Sequence, residues 1–202
     1  MTVWEITHSW ANDAAGLTHA DDIELDPVAS AAFWKQFDGL GSPLQWHTKP
    51  RLTAIEHAGR KKRPRADVSP FTSPGLILNA RVRDALGDLL TRFGQLLEVD
   101  VDGRPEYYYN VTNVLRCLDK ERSRFEAYYV ERPVFQERLI PETPVVFVEP
   151  ELPGRIFVNE GAKSALDKGI AESNIIGMSF RRADVSGLLE LGDGGKTRGH
   201  SP

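Results

Sequence analysis

Between residues 79 and 111 the sequence writes a helix and a hairpin back to back, and this pair calls for a sheet with antiparallel strands. Asn79 is an N-cap residue, with a side-chain oxygen suited to a free N–H of the first helical turn. Val82, Leu86, Leu89, Leu90 and Phe93 then form one apolar stripe of a helix predicted over Ala80–Phe93. Gly94 stands where a left-handed residue would end it. Leu96–Val101 alternates, Asp102-Gly103 supplies the residues of a type I′ turn, and Glu106–Val111 alternates again.

The remaining segments add both element types. Trp4, Ile6, His8 and Trp10 alternate along a predicted strand, Val3–Trp10. Asp26-Pro27 reads as a helix start, with Val28, Ala31, Ala32 and Phe37 as its inward stripe and Gly39 and Gly41 beyond its end. Leu52–Ile55 is a second strand, and the basic run after it is a loop. Further strands are predicted at 124–130, 145–148 and 155–158, with Pro133, Pro141, Pro144, Pro150 and Pro153 breaking the connections. Asn159 caps a helix over 160–172, and a last strand covers 175–180. Helices and strands mix without regular alternation, so the expected class is α+β: a largely antiparallel sheet with a few packed helices.

A chain of 202 residues, 41% of them hydrophobic, is long enough to bury a core without disulfide or metal support. Its one cysteine, Cys117, suits a reducing compartment, and the expected location is the cytoplasm. Met1–His8 lacks the basic start and apolar run of a signal peptide. Apolar runs such as 144–148 fall far short of the roughly 18 residues that span a bilayer, so no membrane association is expected. The net charge of −4 conceals a pattern. Residues 1–50 hold two basic and seven acidic side chains, 51–66 six and one, and 67–202 seventeen and twenty-one. The charge pattern suggests an N-terminal extension over 1–66 with strand, helix and basic loop, an α+β body over 67–191, and a frayed Gly-rich tail over 192–202.

Catalytic signatures are weak throughout. No phosphate-binding loop or GxSxG elbow occurs, and the five histidines (His8, His19, His47, His57, His200) include no pair at zinc-ligand spacing. No catalytic residue, metal or cofactor is expected. Cys117 lies in an apolar stretch and reads as a buried, inert thiol. The run Arg60, Lys61, Lys62, Arg63, Pro64, Arg65 has three readings, a solvated loop, a set of phosphate contacts or a dock for an acidic protein patch. Acidic flanks and the lack of interleaved aromatics favour the loop, so nucleic acid is the alternative partner, not the expected one. All five tyrosines, Tyr107, Tyr108, Tyr109, Tyr128 and Tyr129, sit on two predicted strands. Neighbours on a strand face opposite ways, so they serve either an interface or a sheet that favours tyrosine.

Several short patterns in order carry a family resemblance: Ser73-Pro74-Gly75-Leu76-Ile77-Leu78-Asn79, Tyr107-Tyr108-Tyr109-Asn110-Val111, Cys117-Leu118-Asp119-Lys120-Glu121-Arg122-Ser123, Arg155-Ile156-Phe157-Val158 and Ile175-Ile176-Gly177-Met178-Ser179-Phe180. Over about Ser73–Phe180 the chain resembles immunity proteins of bacterial polymorphic-toxin systems, specifically immunity family eleven. The resemblance implies a cytoplasmic protein that binds and neutralises a cognate toxin, with no catalytic residues to carry over. Asp119 and Ser123 suit a backbone-bonded turn. For the toxin contact the expectation is an acidic patch of Asp21, Asp22, Glu24 and Asp26 meeting a basic groove, with Trp34 and Tyr109 as exposed anchors. The rival readings are nucleic-acid binding through Arg60–Arg65 and a dispersed enzyme site that reverses a toxin's modification. A deep pocket of convergent His, Asp and Arg would mark the enzyme, and a flat apolar patch with an acidic rim the inhibitor.

Overall fold

The structure, a computed structural model, describes residues 1–8, 14–20, 27–58, 61–69, 71, 75–127 and 129–184. In chain order the first half contains β1 (Val3–His8), β2 (Gly16–His19), α1 (Pro27–Lys35), β3 (Arg51–Ile55), β4 (His57–Ala58), β5 (Lys61–Lys62), β6 (Val68–Ser69) and β7 (Leu76–Leu78). The second half contains α2 (Ala80–Leu90), β8 (Gly94–Val101), β9 (Arg104–Val111), β10 (Arg124–Glu126), β11 (Tyr129–Arg132), a 3₁₀ turn (Glu137–Leu139), β12 (Val146–Phe147), β13 (Phe157–Asn159), α3 (Glu160–Ser173) and β14 (Met178–Arg182). One sheet runs β2-β3-β8-β9-β7-β6 and a second β12-β13-β1-β14, while β10-β11 and β4-β5 are separate ribbons. Among the named strands only β3 and β8 pair in parallel. The class is α+β, dominated by largely antiparallel sheet, as expected.

The hairpin forms in the predicted register. Val101 pairs with Arg104, and the two residues between them, Asp102 and Gly103, have φ of 51° and 79°, the left-handed pair of a type I′ turn. Asn79 caps α2 by accepting the Val82 N–H at 3.2 Å. The helix ends at Leu90, a turn earlier than predicted: past Thr91 the ladder tightens, with the Phe93 N–H donating to the Leu90 carbonyl three residues back at 3.0 Å. Gly94 is not a left-handed cap. It opens β8, where a Cβ would lie 2.3 Å from the Asn110 carbonyl oxygen, so close approach of the paired strand requires the glycine.

Three other expectations shift. On α1, Val28 is 78% exposed, and Ala31 and Ala32 also face outward. The inward face is Phe33, Trp34 and the following Phe37, because the sheet beneath presents aromatic partners: Phe37 meets Tyr108 edge to face at 5.1 Å. Residues 124–130 are not one strand, since Ala127 turns back with φ of 48° to make the β10–β11 ribbon. The last strand starts later, at Met178, because Asn174 (φ 49°) and Gly177 (φ 103°) turn the chain after α3.

Three buried clusters hold these elements. The central one, between the two sheets and helices α2 and α3, includes Ile6, Leu78, Leu86, Tyr109, Val158 and Leu166. On the outer face of the four-stranded sheet, Val3, Cys117, Phe147 and Phe157 pack under the 115–140 segment. On the outer face of the six-stranded sheet, Phe37, Leu52, Ile77 and Tyr108 form the third. Residues 1–66 supply strands to both sheets: β1 lies between β13 and β14, and β3 pairs with β8. Residues 66–69, where the expected extension meets the expected body, are buried. Charge segmentation reports on solvent-facing side chains and carries no information on which backbones pair. The tail over 192–202 lies outside the described residues. Among the described residues, no helix is long and apolar enough to cross a membrane.

Candidate protein-binding groove and ribbon

Beside the β10–β11 ribbon lies a groove of about 820 Å³ whose walls carry Arg122, Arg124, Arg132, Arg138 and Arg182 against Asp119, Glu137 and Asp184. The ribbon puts Arg124 opposite Arg132 at its base. Like charges facing across strands repel, and this pair is relieved by an Arg124–Glu131 ion pair at 2.6 Å and by donation from Arg132 Nε to the Asp184 carbonyl at 3.0 Å. Toward the tip, Phe125 is 47% and Tyr129 48% exposed. The Tyr129 hydroxyl donates to Glu126 at 2.5 Å, and that bond raises its pKa above the usual phenol value.

The opposite wall is fixed by the Asp119–Ser123 turn. The Asp119 carbonyl accepts the Ser123 N–H at 2.9 Å and its hydroxyl at 2.6 Å, while Ser123 Oγ accepts the Val134 N–H at 2.9 Å. These bonds bear out the structural role expected of Asp119 and Ser123. Behind the turn, Glu149 is buried and takes the backbone N–H groups of Cys117 and Leu118 at 2.6 and 2.9 Å. Glu149 was not legible as a key residue, because a lone acid after an apolar run carries no signal of what it will bond. Cys117 is buried as expected, and burial, then the adjacent Glu149 carboxylate, pushes its thiol up to about 12.

Of the residues expected to contact a partner, Asp21, Asp22, Glu24, Asp26 and Arg60 lie outside the described residues. Trp34 is half-buried among Phe33, Phe37 and Phe71. Tyr109 is fully buried, not an exposed anchor, and its hydroxyl donates to the Leu90 carbonyl at 3.0 Å. Its neighbour Tyr108 is buried on the other face, donating to the Phe37 carbonyl at 2.6 Å. The expectation failed because both faces of this sheet are covered, so alternation leaves neither tyrosine outside. Burial raises the pKa of both phenols.

The basic run is not wholly a loop: Lys61 and Lys62 form β5, paired with β4. Lys62 lies 3.6 Å from Glu56, the Arg63 N–H donates to the Glu56 carbonyl at 2.6 Å, and Arg65 Nη2 reaches both Glu106 oxygens at 2.6 Å. Burial of Glu106 outweighs Arg65 and raises the Glu106 pKa. His19 is buried edge to face on Phe33. His8 is half-buried, with a pKa lowered by burial. Among the described residues no group of three His, Cys, Asp or Glu side chains could hold a metal ion. The groove matches neither picture drawn from the sequence: it carries arginines and carboxylates without histidine, and its rim is basic. No family model matches the chain, and neither does any curated protein compared with it.

Proposed function

We propose that this chain is an immunity protein that binds a cognate bacterial toxin in the producer's cytoplasm and neutralises it by occlusion, using the ribbon and the arginine groove. The observation that carries this reading is a ribbon bearing exposed Phe125 and Tyr129 beside a groove lined by five arginines. Tyrosine and arginine dominate the energetics of protein interfaces, each anchor being worth about 2 kcal/mol or more. The resemblance to immunity family eleven supplies the class of partner. Its Asp119–Ser123 pattern supports one wall of the groove, so residues behind the resemblance brace the proposed contact surface. Occlusion also favours a preorganised surface, and the Glu149 and Ser123 bonds hold this one in place.

The test is co-expression with the product of the neighbouring open reading frame, expected to be the toxin. Wild type is expected to restore growth and to form a stable complex with the toxin. The Phe125→Ala, Tyr129→Ala double variant is expected to lose rescue while keeping its thermal unfolding. Absence of both rescue and complex in wild type would overturn the reading.

A further inference from the structure

The five groove arginines are not equivalent. Arg124 and Arg182 are neutralised by Glu131 at 2.6 Å and Asp184 at 2.7 Å. Arg132 gives its Nε–H to a backbone carbonyl at 3.0 Å, and Arg138 reaches the Gln136 amide oxygen at 3.3 Å. Both of these acceptors are neutral, and among the described residues neither guanidinium meets a carboxylate. Arg122, with 74% of its side chain exposed, meets Asp119 only at 4.0 Å. A guanidinium fork without a close carboxylate is a ready receptor for one.

We propose that Arg122, Arg132 and Arg138 receive an acidic segment of the protein partner, so that the toxin is recognised through discrete side-chain carboxylates lying in the groove. This inference rests on the immunity reading and assigns the partner's chemistry. It also reverses the polarity expected from the sequence, with the basic groove on this chain and the acids on the toxin. A nucleic-acid backbone fits less well. Asp119, Glu137 and Asp184 stand among the arginines, and an evenly charged phosphate chain would run past all three. A peptide places acids only where the arginines are and leaves neutral residues opposite the carboxylates.

The test uses the full chain and a fluorescein-labelled eight-residue peptide in which Glu alternates with Ser, titrated by anisotropy at low and raised salt. Wild type is expected to bind, with affinity falling steeply as salt rises. Arg132→Gln with Arg138→Gln is expected to weaken binding roughly tenfold. Lys35→Gln with Lys168→Gln, at exposed cations away from the groove, should leave it unchanged. Arg122→Gln alters a side chain that stands in solvent and gives a second groove variant with packing untouched. Equal loss in the groove and control variants would overturn the inference. So would tighter, groove-dependent binding of an eight-nucleotide single-stranded DNA. Toxin rescue by the same variants separates the two claims. Rescue that survives the groove changes overturns this inference and the groove's part in the contact but leaves the immunity reading, whereas absence of both rescue and complex in wild type removes the immunity reading and this inference with it.

Discussion

Cys117 and His8 show how burial sets chemistry at single residues. Around Cys117 the desolvation of a thiolate and the nearby Glu149 carboxylate act in the same direction, and the thiol titrates only near 12. The native protein should therefore resist maleimide at about pH 8 and react only once unfolded in guanidinium. Rapid labelling of the folded chain would contradict this. At His8 burial lowers the pKa, and among the described residues nothing hydrogen-bonds its buried Nδ1. As pH falls below the ordinary histidine value of about 6.5, the unfolded chain takes up the proton first, so stability present above that pH is lost below it. The loss in urea midpoint between about pH 7.5 and 5.5 should shrink in His8→Phe. Glu106, raised by its own burial, works in the opposite sense and is relieved on acidification. The informative quantity is therefore the difference between variant and wild type. The buried thiol was legible from its apolar neighbours; Glu149 was not, because its N–H donors sit about thirty residues away in sequence.

The β8–β9 hairpin gives the element-scale test, since two glycines at its opposite ends are needed for different reasons. Gly103 has open space around it but a φ of 79°, so Gly103→Ala should cost about 1 kcal/mol of backbone strain. Gly94 has ordinary φ, but a Cβ added there would lie 2.3 Å from the Asn110 carbonyl oxygen and 2.9 Å from the Val111 Cα. Backbone cannot swing aside as a side chain does, so Gly94→Ala should cost about 3 kcal/mol. Urea unfolding of the two variants checks the order, and equal costs would refute the contact argument. Asp102-Gly103 was readable because its signal is local. Gly94 was misread because the strand that crowds it comes sixteen residues later. Likewise the α1 stripe was chosen by spacing alone, whereas the aromatic partners of Phe33, Trp34 and Phe37 decide which side turns inward. Ala127 carries no turn signal, which is why β10 and β11 read as one strand.

At the scale of the whole molecule, the sequence showed the class but not the groove, whose arginines span positions 122 to 182 and meet only through the ribbon, the 133–138 segment and the end of β14. Long-range pairing also decides what can be removed. Strand β1 is bonded on both sides, Val3 to Asn159 and Trp4 to Val158 on one, Ile6 to Phe180 and His8 to Met178 on the other. Its Glu5 carboxylate is buried and holds two guanidinium groups, Arg155 at 2.9 Å and Arg181 at 3.0 Å. Val3 and Ile6 belong to different buried clusters on the two faces of the sheet. Deleting residues 1–8 would forfeit the burial of both apolar side chains, about 4 kcal/mol together. It would also leave Arg155 and Arg181 without their acid, a smaller cost because both guanidinium groups reach solvent, and open β13 and β14 as unpaired edges. The lost burial alone approaches the lower end of the roughly 5 to 15 kcal/mol that keeps a typical domain folded. The chain lacking residues 1–8, and equally residues 67–202 alone, should show no cooperative urea transition and broad amide dispersion should be lost in NMR spectra. A sharp transition in residues 67–202 would instead show that the body folds without the strands its sheets borrow from the first 66 residues.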